Sequence, residues 1–465
     1  MADYSVYEGV VAFAKQMLLS LAQSSKVAIF NDPNNQVLTI KGKETKIREI
    51  ESSGAGDYTG QWGNGVNAAS SEYKTYYAPY DRGYSASIDT LKEAQSYVEG
   101  AKPTLVGVAT EYIKKRLAPE IDTVLLARFA SQCGISKANT DSGYGIAVAN
   151  ILETLANISK DIANAGYDGD VVVFLSATVN AAFEQALLAK NILANEVVIK
   201  REMTREEIAE GYEPITVEFR CRKYNNLLII PTPDDRMVGK VYMLNKIDPG
   251  QEEGGVLPAK NLSTYFDSNI IAIPLECAFA NIRHIVNQLF VPMGIDTADY
   301  SENIALANEK LFGNVTLEVN GINQLADGFK FNNRCVYGGD IFSKYRDACV
   351  LVHGAASAQT VAPVKATCVA AASALSGAKT TTSDVKVVFE DINCSGTVYF
   401  VSKTTASATV DASETLTVPS SGTDLRPYCT PTVTFGNAAG TSVIEVHTGS
   451  ASGPKIGEFT VTSEG

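Results

Sequence analysis

Residues 77–94 read YAPYDRGYSASIDTLKEA, and residues 114–130 read KKRLAPEIDTVLLARFA. The first block is a tyrosine-rich extended run that gives way to Asp81-Arg82-Gly83-Tyr84 and then to Ile88-Asp89. Asp89 or Thr90 suits the cap of a short helix, because a side-chain oxygen there accepts backbone N–H groups that lack partners. Gly100 and Pro103 interrupt the run that follows, and Pro103 fits the first turn of a new helix, where a missing N–H costs nothing. Leu105, Val108, Ala109, Tyr112, Ile113 and Leu117 keep the three-and-four spacing of one buried helix face. Lys114, Lys115 and Arg116 fall in its last turn, at the negative end of the helix dipole. Pro119 is expected to stop that helix and open another, in which Ile121, Val124, Leu125 and Phe129 repeat the apolar stripe.

Upstream, Val6, Val10, Phe13, Ala14, Met17, Leu18 and Leu21 form one helical stripe with no basic lead segment. That pattern predicts an amphipathic arm rather than a signal peptide. A polar link, Asn31 to Asn35, follows. Thr45 to Glu51 is predicted extended, then comes the glycine- and serine-rich stretch SSGAGDYTGQWGNGVNAASS, then a second strand, EYKTYYAPY. Two extended arms around a long tip predict a protruding hairpin. A hairpin of that length is marginal alone in water and needs a surface to lie on. Trp62, the only tryptophan, sits in the tip, and tryptophan is enriched among interface anchors.

Downstream, residues 145–282 read as α/β. Ile146 to Ala165 and Val179 to Leu193 have helical spacing, and Asp170 to Ser176 is a continuous apolar run typical of a buried strand. Ile215 to Arg220 and Leu227 to Pro231 are predicted strands around a turn at Tyr224-Asn225-Asn226, and Asn269 to Pro274 is another. Cys277 to Gln288 is predicted helical, with further strands at Phe290 to Met293 and Val315 to Asn320. From about Ala355 helical periodicity disappears. VKVVFEDI, GTVYFVSK, ASATVDAS, ETLTVPS, TVTFG, SVIEVHTG and GEFTVTS are short strands divided by turn residues, the pattern of a small antiparallel β-sandwich.

The chain has 465 residues, 45% hydrophobic and 20% charged, which predicts a core-forming protein of two to four domains. Its formal charge is −13, whereas proteins that grip nucleic acid present a basic face. No apolar run reaches membrane-spanning length. Cys133, Cys221, Cys277, Cys335, Cys349, Cys368, Cys394 and Cys429 are scattered without a CxxC pair, and there are three histidines. A structural zinc site needs four clustered ligands, so no metal is expected and the thiols are expected reduced.

Catalytic motifs are also missing from the sequence. GxSxG, HExxH and GxxxxGK[ST] do not occur, and Gly143-Tyr144-Gly145 lacks the third glycine of a dinucleotide loop. Asp168-Gly169-Asp170 lacks the rest of a calcium loop. Glu206-Glu207, Asp234-Asp235 and Glu252-Glu253 are adjacent pairs, whose side chains point in different directions on any regular element. The chain is therefore expected not to be an enzyme and to use no cofactor.

The order strand, Asp81-Arg82-Gly83-Tyr84, Ile88-Asp89-Thr90, helix, Pro119-Glu120-Ile121-Asp122 resembles the major capsid proteins of tailed bacteriophages, the Hong Kong 97 fold. The resemblance covers roughly residues 1–345, and the segment Gly321 to Leu351 fits it poorly. It implies an α+β fold: an N-terminal arm (1–43), an extended loop (44–88), a peripheral domain with a spine helix (89–140 and 283–345) and an axial domain (141–282). Residues 355–465 look like the immunoglobulin-like modules appended to phage structural proteins, although without tryptophan they are not a true antibody-type domain.

The implied function is a shell subunit. Copies would self-assemble into hexamers and pentamers of an icosahedral head that encloses double-stranded DNA without reading its sequence. Portal, scaffolding or decoration proteins are the implied partners, with no membrane, and host surfaces or glycans are implied for the C-terminal domain. Assembly in the bacterial host cytoplasm and residence in the virion follow from the same resemblance. Trp62, Tyr73, Lys74, Tyr77, Asp81, Arg82, Glu120 and Asp122 are the assembly and interface candidates, with a positional rather than catalytic role. Some members of that family weld neighbours through an extended-loop lysine and an asparagine, and Lys74 lies in the corresponding arm; its partner is not identifiable, most members lack the reaction, and a solvated or salt-bridged strand lysine is the better account of it. Two alternatives stand beside the virus: an encapsulin-like compartment, and a surface adhesin or carbohydrate-binding protein acting through its C-terminal domain.

Overall fold

Val171–Ser176, the apolar run expected as a buried strand, is a strand buried along its whole length. The computed structural model describes residues 19–31, 37–41, 44–51, 70–89, 109–202, 216–290 and 328–464. They fall into two compact units, one within Met1–Met237 and Ser268–Gly354, the other Val238–Asp267 together with Ala355–Gly465.

In chain order the strands are β1 (Val37–Lys41), β2 (Glu44–Glu51), β3 (Ser70–Tyr77), β4 (Tyr80–Asp89), β5 (Ile135–Ala138), β6 (Val171–Ser176), β7 (Asn195–Glu202), β8 (Thr216–Tyr224) and β9 (Leu227–Thr232). The hairpin β10 (Val241–Leu244) and β11 (Gly255–Pro258) follows, then β12 (Ser268–Pro274), β13 (Ala278–Phe290), β14 (Gly328–Ile341) and β15 (Val350–His353). Three helices organise the first unit: α1 (Ala118–Gln132), α2 (Ile151–Asn164) and α3 (Ala177–Lys190).

A seven-stranded mixed sheet, in the order β5-β15-β12-β6-β9-β8-β7, lies at the centre of the first unit. On one face, Val171, Val173 and Leu175 share a core with Ile151, Leu155, Ile158 and Ile162 of α2 and Val179, Phe183 and Leu187 of α3. On the other, Phe174 meets the ring of Phe30 at 6.1 Å, and Phe30 meets Phe129 of α1 edge-on at 5.8 Å. Cover on both faces explains why β6 shows no polar alternation. Ser176 caps α3 by accepting the N–H of Val179 at 3.4 Å, and Asn191 ends it in the left-handed conformation.

Two further sheets are built from long antiparallel pairs. β2 and β3 pair from Glu44 opposite Tyr77 to Glu51 opposite Ser70, with β1 on the outer side of β2. The arms predicted for a hairpin are therefore in register, and its tip, including Trp62, lies outside the described residues. β14 is the middle strand of a second sheet, β13-β14-β4. Its pairing with β13 runs from Ala278 opposite Ile341 to Phe290 opposite Lys330.

Several local expectations give way here. Asp81 to Tyr84, where the extended run gives way in the sequence, stays extended inside β4, paired with Val336 to Asn333 of β14. Asp89 ends that strand, and Thr90 lies outside the described residues. Pro119 does not stop the helix, because residues 109–132 are helical throughout. A π-turn at Ile113–Leu117 absorbs the proline: Ala118 donates to Ile113 O five residues back, which widens the turn where the ring would strike a carbonyl. Cys277 to Gln288 is not a helix. Phe279, Ile282, Ile285 and Leu289 have helical spacing, but a ladder with β14 as long as β13 itself outweighs that local preference. The predicted strand at Val315 to Asn320 and the stripe from Val6 to Leu18 lie outside the described residues, and Leu21 is buried in a helical stretch, 19–24.

The second unit is all-β apart from short turns. Its remaining strands are β16 (Ala366–Cys368), β17 (Ser376–Gly377), β18 (Thr382–Asp384), β19 (Val387–Phe389), β20 (Thr397–Ser402), β21 (Ala408–Val410), β22 (Ser413–Thr415), β23 (Tyr428–Cys429), β24 (Thr432–Phe435), β25 (Gly440–Thr448) and β26 (Lys455–Ser463). They form sheets β16-β19-β23, β17-β26-β25-β20-β22 and β18-β24-β21. Val387, Phe389, Val398, Phe400, Val433, Phe435, Ile444, Val446, Phe459 and Val461 meet in one core. Ser442, Ile444 and Val446 point inward along β25 while their neighbours point out, the period-two pattern visible in the sequence. The pairing of β17 with β26 is parallel, unlike the antiparallel pattern expected throughout. Residues 238–267, expected within 141–282 as part of the axial domain, belong to this second unit.

Candidate functional site

The interface candidates sit on β3, β4 and α1. Alternation along β3 sends Tyr73 and Tyr77 outward, where they are 53% and 57% exposed, and Tyr76 inward. The Tyr76 ring packs edge-on against Phe279 at 5.1 Å and Phe342 at 6.0 Å, which holds the arm to the unit's body. Lys74 donates to Ser343 Oγ at 3.0 Å, a non-covalent contact within the same chain.

Where β3 gives way to β4, the chain crosses β14 closely. A Cβ added to Gly338 would lie 2.5 Å from Ala78 Cα, so the crossing requires glycine there. β4 then carries two ion pairs on consecutive residues, whose side chains leave opposite faces of the strand. Asp81 accepts from Arg334 Nε at 2.8 Å and from Nη2 at 2.6 Å. Arg82 Nε lies 2.7 Å from Glu120 Oε1, and Tyr337 donates its hydroxyl to the same oxygen at 2.8 Å. Burial, and then the Glu120 charge, push the Tyr337 hydroxyl far above its ordinary range, so it remains a donor. Tyr80 stacks on Tyr337 at 5.2 Å, and Tyr84 stacks on Tyr112 at 4.3 Å.

Glu120 and Asp122 are two residues apart, about 200° around a helix, so they face opposite sides. Glu120 faces β4 and β14. Asp122 is fully buried on the other side, where it accepts from Ser25 Oγ at 2.6 Å, Lys26 N at 3.0 Å and Val27 N at 3.2 Å. Arg236 Nη1 completes its shell at 2.8 Å. Burial pushes the Asp122 carboxyl above the usual carboxylate range, and these four donors pull against it. One helix therefore joins the N-terminal segment, the turn before the second unit and the long-stranded sheet.

Sequence reasoning brought out Asp81, Arg82, Glu120 and Asp122 but missed their partners Arg334, Tyr337, Ser25 and Arg236. It also missed a third clamp. Arg128 reaches Asp340 with two bonds, of 2.8 and 2.9 Å, and Gln132 accepts the N–H of Ile341 at 2.9 Å. Arg128 and Gln132 are one turn apart on one helix face. That spacing was a visible signal, but nothing local pointed to Asp340.

Among the described residues no group of three or more His, Cys, Asp or Glu is placed to hold a metal. Burial pushes the Cys133, Cys277, Cys394 and Cys429 thiols up to about 12, far from thiolate reactivity. No described helix is long and apolar enough to cross a membrane, which leaves β-barrels unaddressed.

No family model matches the chain, and no curated protein matches it. Among solved structures it is similar to the capsid of the cyanophage P-SCSP1u, at TM-score 0.38 and 11% identity, over 70% of this chain and 87% of that one. It is similar to a structure from Mycobacterium phage Che8, at TM-score 0.34 and 11% identity, over 67% and 85% of the two chains. It is also similar to the holo-SrpI encapsulin complex from Synechococcus elongatus PCC 7942, at TM-score 0.32 and 9% identity, over 69% and 84%.

Proposed function

We propose that this chain is the shell-forming subunit of a tailed-bacteriophage head. It assembles into hexamers and pentamers around double-stranded DNA, as a non-enzymatic virion component made in the bacterial host cytoplasm. The observation that supports this reading is the arrangement around α1. A single helix fixes the N-terminal segment through Asp122 and the long-stranded sheet through Glu120, Arg128 and Gln132. From that frame a paired-strand arm extends, with Tyr73 and Tyr77 exposed. A rigid body with an arm that has aromatic side chains to bury suits a subunit completed by its neighbours. The formal charge of −13 suits a wall that encloses DNA without gripping it. The C-terminal strands serve as an immunoglobulin-like module for decoration proteins, host surfaces or glycans, and portal and scaffolding proteins are further partners.

Electron microscopy of the full chain, expressed alone and with its neighbouring genes, tests the proposal. Shells or capsomers are expected, with DNA protected from nuclease. Shells filled with protein would favour an encapsulin-like compartment, and monomers under every condition would sink the shell reading.

A further inference from the structure

The second unit is assembled from two pieces of chain far apart in sequence. Val238–Asp267 leaves and rejoins the first unit at one point: Gly239 donates to Phe266 O, and Ser268 to Met237 O, both at 2.9 Å. Between these ends β10 and β11 pair over four residues, Val241 opposite Pro258 to Leu244 opposite Gly255. Such a two-stranded hairpin does not sustain itself in water.

What the hairpin lacks, the C-terminal piece supplies. Tyr242, Leu244 and Ala259 form a small buried cluster that is closed by Ile392 and Leu425. The polar side chains of the insert look the same way. Asn261 is buried, and its amide donates to Ile392 O at 2.7 Å. Gln251 is buried, and its amide donates to Thr423 O at 2.6 Å. Backbone bonds join the same two pieces, from Gln359 N to Lys260 O at 2.8 Å and from Ser357 N to Tyr265 O at 2.9 Å. A buried amide whose acceptor has gone bears its whole desolvation cost uncompensated. Without residues 355–465 the apolar cluster of the hairpin stands open, and the Asn261 and Gln251 amides lose these acceptors.

We infer that Val238–Asp267 is a completion latch, a docking surface whose partner is the chain's own C-terminal segment. It stays open until Ala355–Gly465 has been synthesised and folded, and then closes on that folded segment. A chain that ends early or is clipped after Gly354 carries an open latch, with Tyr242, Leu244 and Ala259 exposed. The latch is independent of whether the chain builds a shell, because it concerns only how the second unit is completed.

Hydrogen exchange measured by mass spectrometry on the full-length chain tests it. In Leu425→Asp, amides of 241–258 should exchange about tenfold faster or more, from loss of docking. Amides of β25 and of β6 should keep their protection. In Val433→Asp, which strikes the core of the C-terminal segment, β25 and 241–258 should lose protection together while β6 keeps it. Retained protection of 241–258 in either variant would overturn the latch, since the hairpin would then stand alone. Equal loss at β6 would overturn it as well, since the second unit would not be separable.

Discussion

Asp122 and Asp81 look alike in the sequence, each an aspartate in a stretch of mixed charge, yet their surroundings give them different roles. Asp122 is fully buried beneath four donors, one of them Arg236. Asp122→Ala leaves Arg236 and two backbone N–H groups without their acceptor, and should cost about 3–5 kcal/mol. Thermal unfolding of the full chain should show a large drop in Tm. The positional role first expected for this residue thus includes the fold itself. Asp81 pairs with an Arg334 that remains substantially exposed. Asp81→Ala should cost about 0–1 kcal/mol, so any effect should show in oligomer formation by light scattering and not in Tm. Glu445 provides a pH-dependent case. Lys403, then Lys455 and His447, hold its carboxyl down to about 2. An unfolded glutamate titrates near about 4.3, so the folded state binds the proton less readily. The stabilisation is complete above the unfolded value and is lost as pH falls toward about 2. The stability difference between wild type and Glu445→Gln, read from urea midpoints, should shrink from about pH 6 to about pH 3.

At the scale of elements, the passage of the β3–β4 junction across β14 rests on bare backbone. Gly338 has no room for a methyl group, because the atom it would meet at 2.5 Å is Ala78 Cα and not a side chain that can swing away. Gly338→Ala should therefore cost about 1–3 kcal/mol, and exchange should rise first in β3 and β4. If the variant matches wild type in both unfolding and exchange, the crossing is looser than described. The same crossing shows where local sequence stops being informative. In the sequence the tyrosine-rich extended run gives way at Asp81 to Tyr84. Ten cross-strand pairs with β14 keep it extended instead.

At the scale of the whole molecule, the division into two units does not follow the order of the chain. A formal charge of −13 sets one property of the full chain. Gel-shift assays with duplex DNA at low salt should give no retarded band, since phosphate binding requires clustered cations. A salt-sensitive complex would contradict enclosure without gripping. The thirty-residue segment Val238–Asp267 was placed with its sequence neighbours 141–282, yet it packs with Ala355–Gly465, beyond the whole return of the chain through the first unit. Turn-rich hairpins carry no mark of the surface on which they settle.

Some of this was fixed by the sequence alone. The stripe of α2, the apolar run of β6 and the alternating strands after Ala355 all follow from side-chain pattern, which a segment carries within itself. The tertiary structure decided the rest. It made a strand of the helix-like spacing in β13, carried the helix through Pro119, and moved residues 238–267 into the second unit. It also chose the partners of the candidates. Glu120 meets Tyr337 and Asp122 meets Ser25, separations of 217 and 97 residues. A charged side chain states that it needs a partner, and its own neighbourhood in sequence does not say which. Only the packing of distant elements, which must satisfy every buried polar group at once, settles that choice.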